Sequence, residues 1–191
     1  MAYFQTAREV ILLALLVAAA YTDLASGKVY NWCSLPALFL GLLLAYVAGG
    51  VSEGGAESSH GAASLVDSLL GLAVGGGVFG LFALFGAFGF GDVKLAAAVG
   101  ALKGWRFAAA ALGFSALVGG VMALAVLIWK GQLWRGLRDS LKAVVRPGKV
   151  AQRLPEESPA RLTIPYGLAI SIGTLWAWFG VYVFPALRGQ G

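Results

Sequence analysis

Two aspartates at the borders of apolar runs are the residues of this sequence best suited to do chemistry. They are Asp23, in Tyr21-Thr22-Asp23-Leu24, and Asp92, in Gly89-Phe90-Gly91-Asp92-Val93-Lys94. A carboxylate at a bilayer is costly to place, so its presence asks for a partner and a use. Each aspartate is the best partner for the other. Two carboxylates held close cannot both ionise cheaply, so one keeps its proton while the other acts as base. The base takes a proton from a water that attacks a peptide carbonyl, and the acid polarises that carbonyl. Such a pair titrates as a unit. This chemistry calls for no metal and no cofactor, in keeping with a chain that has one cysteine, Cys33, and one histidine, His60.

The surrounding residues fit an acid–base site. Gly89 and Gly91 supply backbone freedom and leave room for an extended substrate strand. Asp92 falls where an N-cap belongs, ahead of the good helix formers Leu95-Ala96-Ala97-Ala98. Lys94 lies two residues on, on another helix face, and reads as a headgroup or loop anchor rather than a partner of Asp92. Plainer roles compete with these. Asp92 alone is also a helix cap, Asp23 alone a solvated span-end residue, and a lone Gly-x-Gly-Asp a simple turn. Cys33 reads as a small packing residue, Asp67 as a span-end residue and Asp139 as a surface charge.

Composition dictates the setting. The chain is 59% hydrophobic and 12% charged, with a mean hydropathy of +0.81, whereas a soluble domain carries roughly 25% charged residues. Its 28 glycines follow no triplet period and suit close-packed membrane helices. A net charge of +5 would point to nucleic acid in a soluble protein. Here the basic residues cluster between apolar segments, so orientation in a bilayer explains them and no nucleic-acid partner is expected.

Apolar runs predict an all-α integral membrane protein of about six spans, forming one polytopic domain over residues 1–191. The spans are roughly Val10–Thr22 (starting as early as Tyr3), Leu35–Ala48, Leu65–Phe85, a short fourth at Val93–Leu102, Phe107–Trp129 and Ile164–Leu187. Gly71, Gly75 and Gly80 would let helices approach closely. The Gly-x-Gly-Asp bend precedes the fourth span, which is too short to cross unless that bend is buried in protein or water-lined. Residues 49–64 read as a polar loop. Trp32, Trp105, Trp129 and Trp134 read as interfacial anchors.

Charge orients the chain. Eight of its 14 basic residues, from Lys130 to Arg161, fall in the loop over about 130–163, which places that loop in the cytoplasm. Leu133, Leu137 and Leu141 suggest that part of it lies on the anionic leaflet as an amphipathic helix. Counting back through six spans puts Asp23, Asp92, Lys28 and Lys94 on the cytoplasmic side, with both termini, Glu53 and Glu57 outside. Met1 to Tyr21 has the small residues of a signal peptide, but Glu9 offsets Arg8 and the positive leading region is missing.

These residues together resemble the type IV prepilin peptidase family of membrane aspartyl proteases. Asp23 with the downstream Lys28-Val29-Tyr30-Asn31 resembles the family's first aspartate and its basic-Ile-Pro-Asn turn, with Val29-Tyr30 in place of Ile-Pro. Gly89 to Lys94 matches the family's Gly-x-Gly-Asp-x-Lys. Pro165-Tyr166-Gly167 resembles its Pro-aromatic-Gly element. The resemblance implies Asp23 and Asp92 as the catalytic pair, supported by Gly89, Gly91, Lys94, Asn31, Pro165, Tyr166 and Gly167. It also implies an inner-membrane enzyme with a prepilin-like membrane protein as substrate, serving a type IV pilus or secretion system and cutting at the cytoplasmic face. No paired-cysteine domain precedes Asp23, so the chain is similar to the short, peptidase-only branch that processes Flp-type pilins, or to archaeal preflagellin peptidases. The basic cytoplasmic face suits a basic leader poorly, so recognition is expected to rest on the substrate's helix and the groove near the pair.

Three other readings compete. A presenilin-like protease shares the Gly-x-Gly-Asp logic, but its later Pro-Ala-Leu element is absent. A small proton- or ion-coupled transporter would place acids at mid-span or repeat its halves. A non-catalytic subunit of a pilus or secretion assembly would use the aspartates only as caps.

Overall fold

A computed structural model describes residues 2–51, 65–84, 89–129 and 166–183, and among these it is helical with no strand. The helices are α1 (Ala2–Ser26), α2 (Asn31–Val51), α3 (Leu65–Leu84), α4 (Phe90–Lys103), α5 (Trp105–Trp129) and α6 (Tyr166–Trp178), and a π-helical turn, Phe179–Val183, follows α6. Among the described residues, four segments are long and apolar enough to cross a membrane: Tyr3–Ser26, Asn31–Ala48, Leu65–Leu84 and Trp105–Val126. Tyr166–Val181 is a shorter apolar helix. The protein is thus an all-α membrane protein whose described helices match the six expected spans in order. Chain contacts define two compact units, Met1–Val118 with Pro165–Gly191, and Gly119–Ile164. The interactions below lie within the first. The expectations for His60, Trp134, Asp139, Pro165 and the loop over 130–163 fall outside the described residues.

Several boundaries differ from the sequence reading. The first helix continues past Thr22 to Ser26, so Asp23 sits in its last turn. It ends because Gly27 adopts a left-handed φ of 63° and donates its N–H to the Asp23 carbonyl at 2.8 Å. A glycine in that conformation is the usual helix stop. The second helix begins at Asn31, with the Tyr30 carbonyl accepting from Cys33 N–H at 3.1 Å, and runs to Val51 rather than Ala48.

α4 is the element against which the others pack. It touches α1, α2, α3 and α6, and every residue from Leu95 to Leu102 is buried. Its 14 residues span roughly 21 Å, short of the roughly 30 Å of a hydrocarbon core. The sequence explains the burial: Leu95-Ala96-Ala97-Ala98-Val99-Gly100-Ala101-Leu102 is small or apolar all round, so no face needs water. Small residues let the backbones meet. A Cβ at Gly71 of α3 would fall on the Gly100 carbonyl, and one at Gly75 on the Ala96 carbonyl. On the α2 side, a Cβ at Gly41 would lie 3.1 Å from the Ala101 backbone. Of the three glycines expected to allow close approach, Gly80 does not, because its nearest neighbour there would be Val93 Cγ1 at an ordinary 3.7 Å.

Charged groups tie together the end of the bundle where α1 begins and α4 ends. Glu9 Oε1 pairs with Lys103 Nζ, while Glu9 Oε2 accepts from Trp178 Nε1 at 2.8 Å. Lys103 also lies 5.3 Å from the centre of the Phe107 ring. Arg8 is 2% exposed and within electrostatic reach of Asp67. Asp67 Oδ1 accepts from Trp105 N–H at 3.4 Å, at the start of α5. Charges placed in apolar surroundings persist when they are matched in this way. Asp67 is therefore more than a span-end residue.

Helix contact through glycine gives a direct test. Gly71→Ala and Gly100→Ala should each lower stability by roughly 1–3 kcal/mol, since backbone must move to admit the methyl group. Gly77, with none of the described residues within 4 Å of a built Cβ, should accept alanine and gain up to about 1 kcal/mol of helix propensity. Thermal unfolding midpoints in detergent check the contrast, and equal midpoints for the three variants would contradict it.

Candidate active site

Three helix ends converge on one site: the C-terminal turn of α1, the N-terminus of α4 and the N-terminus of α6. α1 delivers Asp23, 5% exposed. Its Oδ2 accepts the Leu168 N–H at 2.9 Å, and the Gly167 amide also points at this carboxylate. The first N–H groups of a helix have no partner within it, so Asp23 satisfies donors that α6 leaves open. Gly167 permits this approach. A Cβ there would lie 2.7 Å from Val29 Cγ2 and 2.9 Å from Asp23 Oδ2.

α4 delivers Asp92 from its first turn. The N-cap is Gly89, at φ −78° and ψ 150°, which corrects the expectation that Asp92 itself caps the helix. Asp92 instead reaches back, its Oδ2 accepting the Gly89 N–H at 3.3 Å, as an acid at the third helical position does. The Gly89 conformation is ordinary extended backbone, so special backbone freedom is not what this position requires. Gly91 is needed for proximity: a Cβ there would lie 2.8 Å from the Val29 carbonyl oxygen and 3.2 Å from Val29 Cβ.

The two carboxylates lie within electrostatic reach of each other. Tyr166, at the start of α6, lies within reach of Asp92, its ring centre 5.8 Å from that of Phe79. Lys94 Nζ donates to Asn31 Oδ1 at 2.8 Å, so it anchors the start of α2. The structure thus brings together Asp23, Asp92, Gly89, Gly91, Lys94, Asn31, Tyr166 and Gly167. Gly27 and Leu168 join them without having been singled out in the sequence, and Val29 joins them from the turn after Asp23. Gly27 directly follows a helical run and carried the signal of a helix stop, whereas Leu168 enters through an amide that any residue supplies, and Val29 through a carbonyl and side-chain atoms that meet Gly91 and Gly167. Among the described residues, no three His, Cys, Asp or Glu side chains gather as metal ligands.

Paired carboxylates next to open helix amides, at one end of a membrane bundle, can activate a water against a carbonyl. Residues 10–124 match the model of the type IV leader peptidase family. The chain belongs to that family. The match spans more than half of the 191 residues and contains both aspartates, while Tyr166, Gly167 and Leu168 lie beyond it. Membership makes this membrane protein a peptidase. Searches of curated proteins and of solved structures found no match.

The two glycines of the Gly-x-Gly-Asp element should respond differently to alanine. Gly91→Ala drives a methyl group into the Val29 backbone and should lower leader-peptide cleavage at least about tenfold, as small displacements of reacting groups do. Among the described residues, Gly89→Ala meets Asp92 Oδ2 at 3.5 Å and Gly91 N at 4.0 Å, ordinary contacts, and should retain activity within about threefold, since a cap position given alanine loses only modest stability. Cleavage rates at matched membrane abundance check this, and equal loss in both variants would contradict the contact argument.

Proposed function

We propose that Asp23 and Asp92 form the acid–base pair of an aspartic endopeptidase that removes the short leader from Flp-type prepilin-like precursors. The enzyme works at the cytoplasmic face of the inner membrane. The observation that carries the reading is the convergence of two carboxylates from opposite-running helices, within electrostatic reach and beside the open amides of α6. One carboxylate holds the shared proton and polarises the scissile carbonyl, while the other deprotonates the attacking water. Gly89, Gly91, Asn31, Lys94, Tyr166 and Gly167 shape and hold the site without taking part in proton transfer, and the family resemblance adds Pro165 to them. The substrate is a membrane protein whose helix lies beside the pair, with the bilayer as the other partner. Cys33 is the sole cysteine, so this sequence has no counterpart of the paired cysteines that the family resemblance links to N-methylation.

Asp23→Asn and Asp92→Asn should each abolish processing of a co-expressed prepilin in cells lacking their own enzyme. The double variant should be no worse than either single, because residues acting as a unit are not additive. Asp139→Asn should leave processing nearly unchanged. Blots verify membrane abundance, and mass spectrometry should find an unmodified N-terminus on the product. Full processing by either aspartate variant at normal abundance refutes the protease reading.

Topology is a separate test. Under six spans, ten of the 14 basic residues, eight of them in the loop over 130–163, fall on the side of the site, which favours the cytoplasmic side, with the loop around Ser58 outside. In a Cys33→Ala background, Ser58→Cys should react with a membrane-impermeant thiol reagent on intact cells. Ser140→Cys should react only after permeabilisation. Labelling of position 140 from outside overturns the orientation.

A further inference from the structure

The connection leaving Asp23 is held to the helix that carries Asp92 at two points. Gly27 ends α1 four residues after Asp23, and only residues 28–30 separate it from α2. Within that connection, Val29 lies against Gly91, the residue before Asp92. Immediately after it, Asn31 accepts the Lys94 ammonium at 2.8 Å, from two residues beyond Asp92. The two contacts bracket Asp92 in sequence and both fall on the segment that follows Asp23. Lys94 is an unusual choice for its place. A cation near the N-terminus of a helix gains nothing from the macrodipole, which favours anions there. Its bond to Asn31 gives the position a use that a purely helical account lacks.

We propose that Lys94 and Asn31 act as a positioning strap that sets the separation of Asp23 and Asp92. This inference rests on the peptidase reading for its effect on rate, and on geometry alone for its effect on distance. Neither residue touches the reacting atoms. Gly91 allows the chain segments to meet, and the Lys94–Asn31 bond fixes them at that approach, so that one water fits both carboxylates. A displacement of about 1 Å at such a pair costs on the order of a hundredfold in rate while leaving substrate binding intact.

The test has an arm for each dependence. In full-length protein reconstituted in nanodiscs, Lys94→Met and Asn31→Ala should each lower kcat about tenfold or more. KM should stay within about twofold, and the unfolding midpoint should be unchanged. The double variant should be no worse than the worse single, as for any pair acting only through each other. The exchanged pair, Asn31→Lys with Lys94→Asn, should recover most of the lost rate, which a lipid-headgroup anchor at position 94 would not. In the second arm, Asp23→Cys and Asp92→Cys in a Cys33→Ala background are joined by oxidation with copper phenanthroline. Adding Lys94→Met should slow that cross-link several-fold. Unchanged cross-linking together with unchanged kcat overturns the strap. Slowed cross-linking in a protein whose parent cleaves no prepilin upholds the strap and removes the peptidase reading instead.

Discussion

Backbone contact between α3 and α4, at Gly71 on Gly100 and Gly75 on Ala96, is the constraint on which the other packing depends. In a bilayer, burying apolar surface gives no net drive, because lipid tails are as apolar as leucine. Association must come from close van der Waals contact and from polar groups that find partners. Both are present here. α4 supplies small residues on every side, so four neighbours reach its backbone. The Glu9, Lys103 and Trp178 group then fixes the rotation of α1 and α6 about it.

From this centre the site follows. A helix of 14 residues that is buried from Leu95 to Leu102 must bring its N-terminus to a definite depth. That depth is where α1 ends and α6 begins. Asp92 therefore meets the carboxylate at the end of α1, and Asp23 meets the amides at the start of α6. The hydroxyls of Ser26 and Ser171 bond within their own helices, whereas Ser115 Oγ of α5 also reaches the Ile170 carbonyl of α6 at 3.4 Å. Ser26 Oγ donates to the Thr22 carbonyl and Ser171 Oγ to the Gly167 carbonyl, which leaves the open N–H groups of α6 for Asp23.

Much of this was legible in the sequence, and the reason differs from residue to residue. The six helices show as apolar runs because a bilayer admits few other patterns. Asp23 and Asp92 show because charge there is rare. Charge counting assigns both to one face, as their proximity requires. Gly71 and Gly75 were expected to allow close approach and do, since helix packing rewards small residues directly. The capping geometry at Gly89 was misjudged, because Asp serves equally at a cap or in the first turn and only the backbone decides between them. Asp67 was taken for a simple span-end residue, as its partners Arg8 and Trp105 are remote in sequence. Val29 shows in the sequence only as part of the turn after Asp23, and its contacts with Gly91 and Gly167 do not, because both partners are remote in sequence.

The place of Asp23 in the last turn of α1 has a consequence for how the site is populated. Helix ends fray, and the terminal turn opens at a lower free energy than the centre. The bond from Gly27 N–H to the Asp23 carbonyl closes that turn, so unwinding it frees the Gly27 amide and the Asp23 backbone together. The Leu168 amide loses its acceptor in the same event. Amide exchange at Gly27 and at Leu168 should therefore be coupled, although 140 residues lie between them in the sequence.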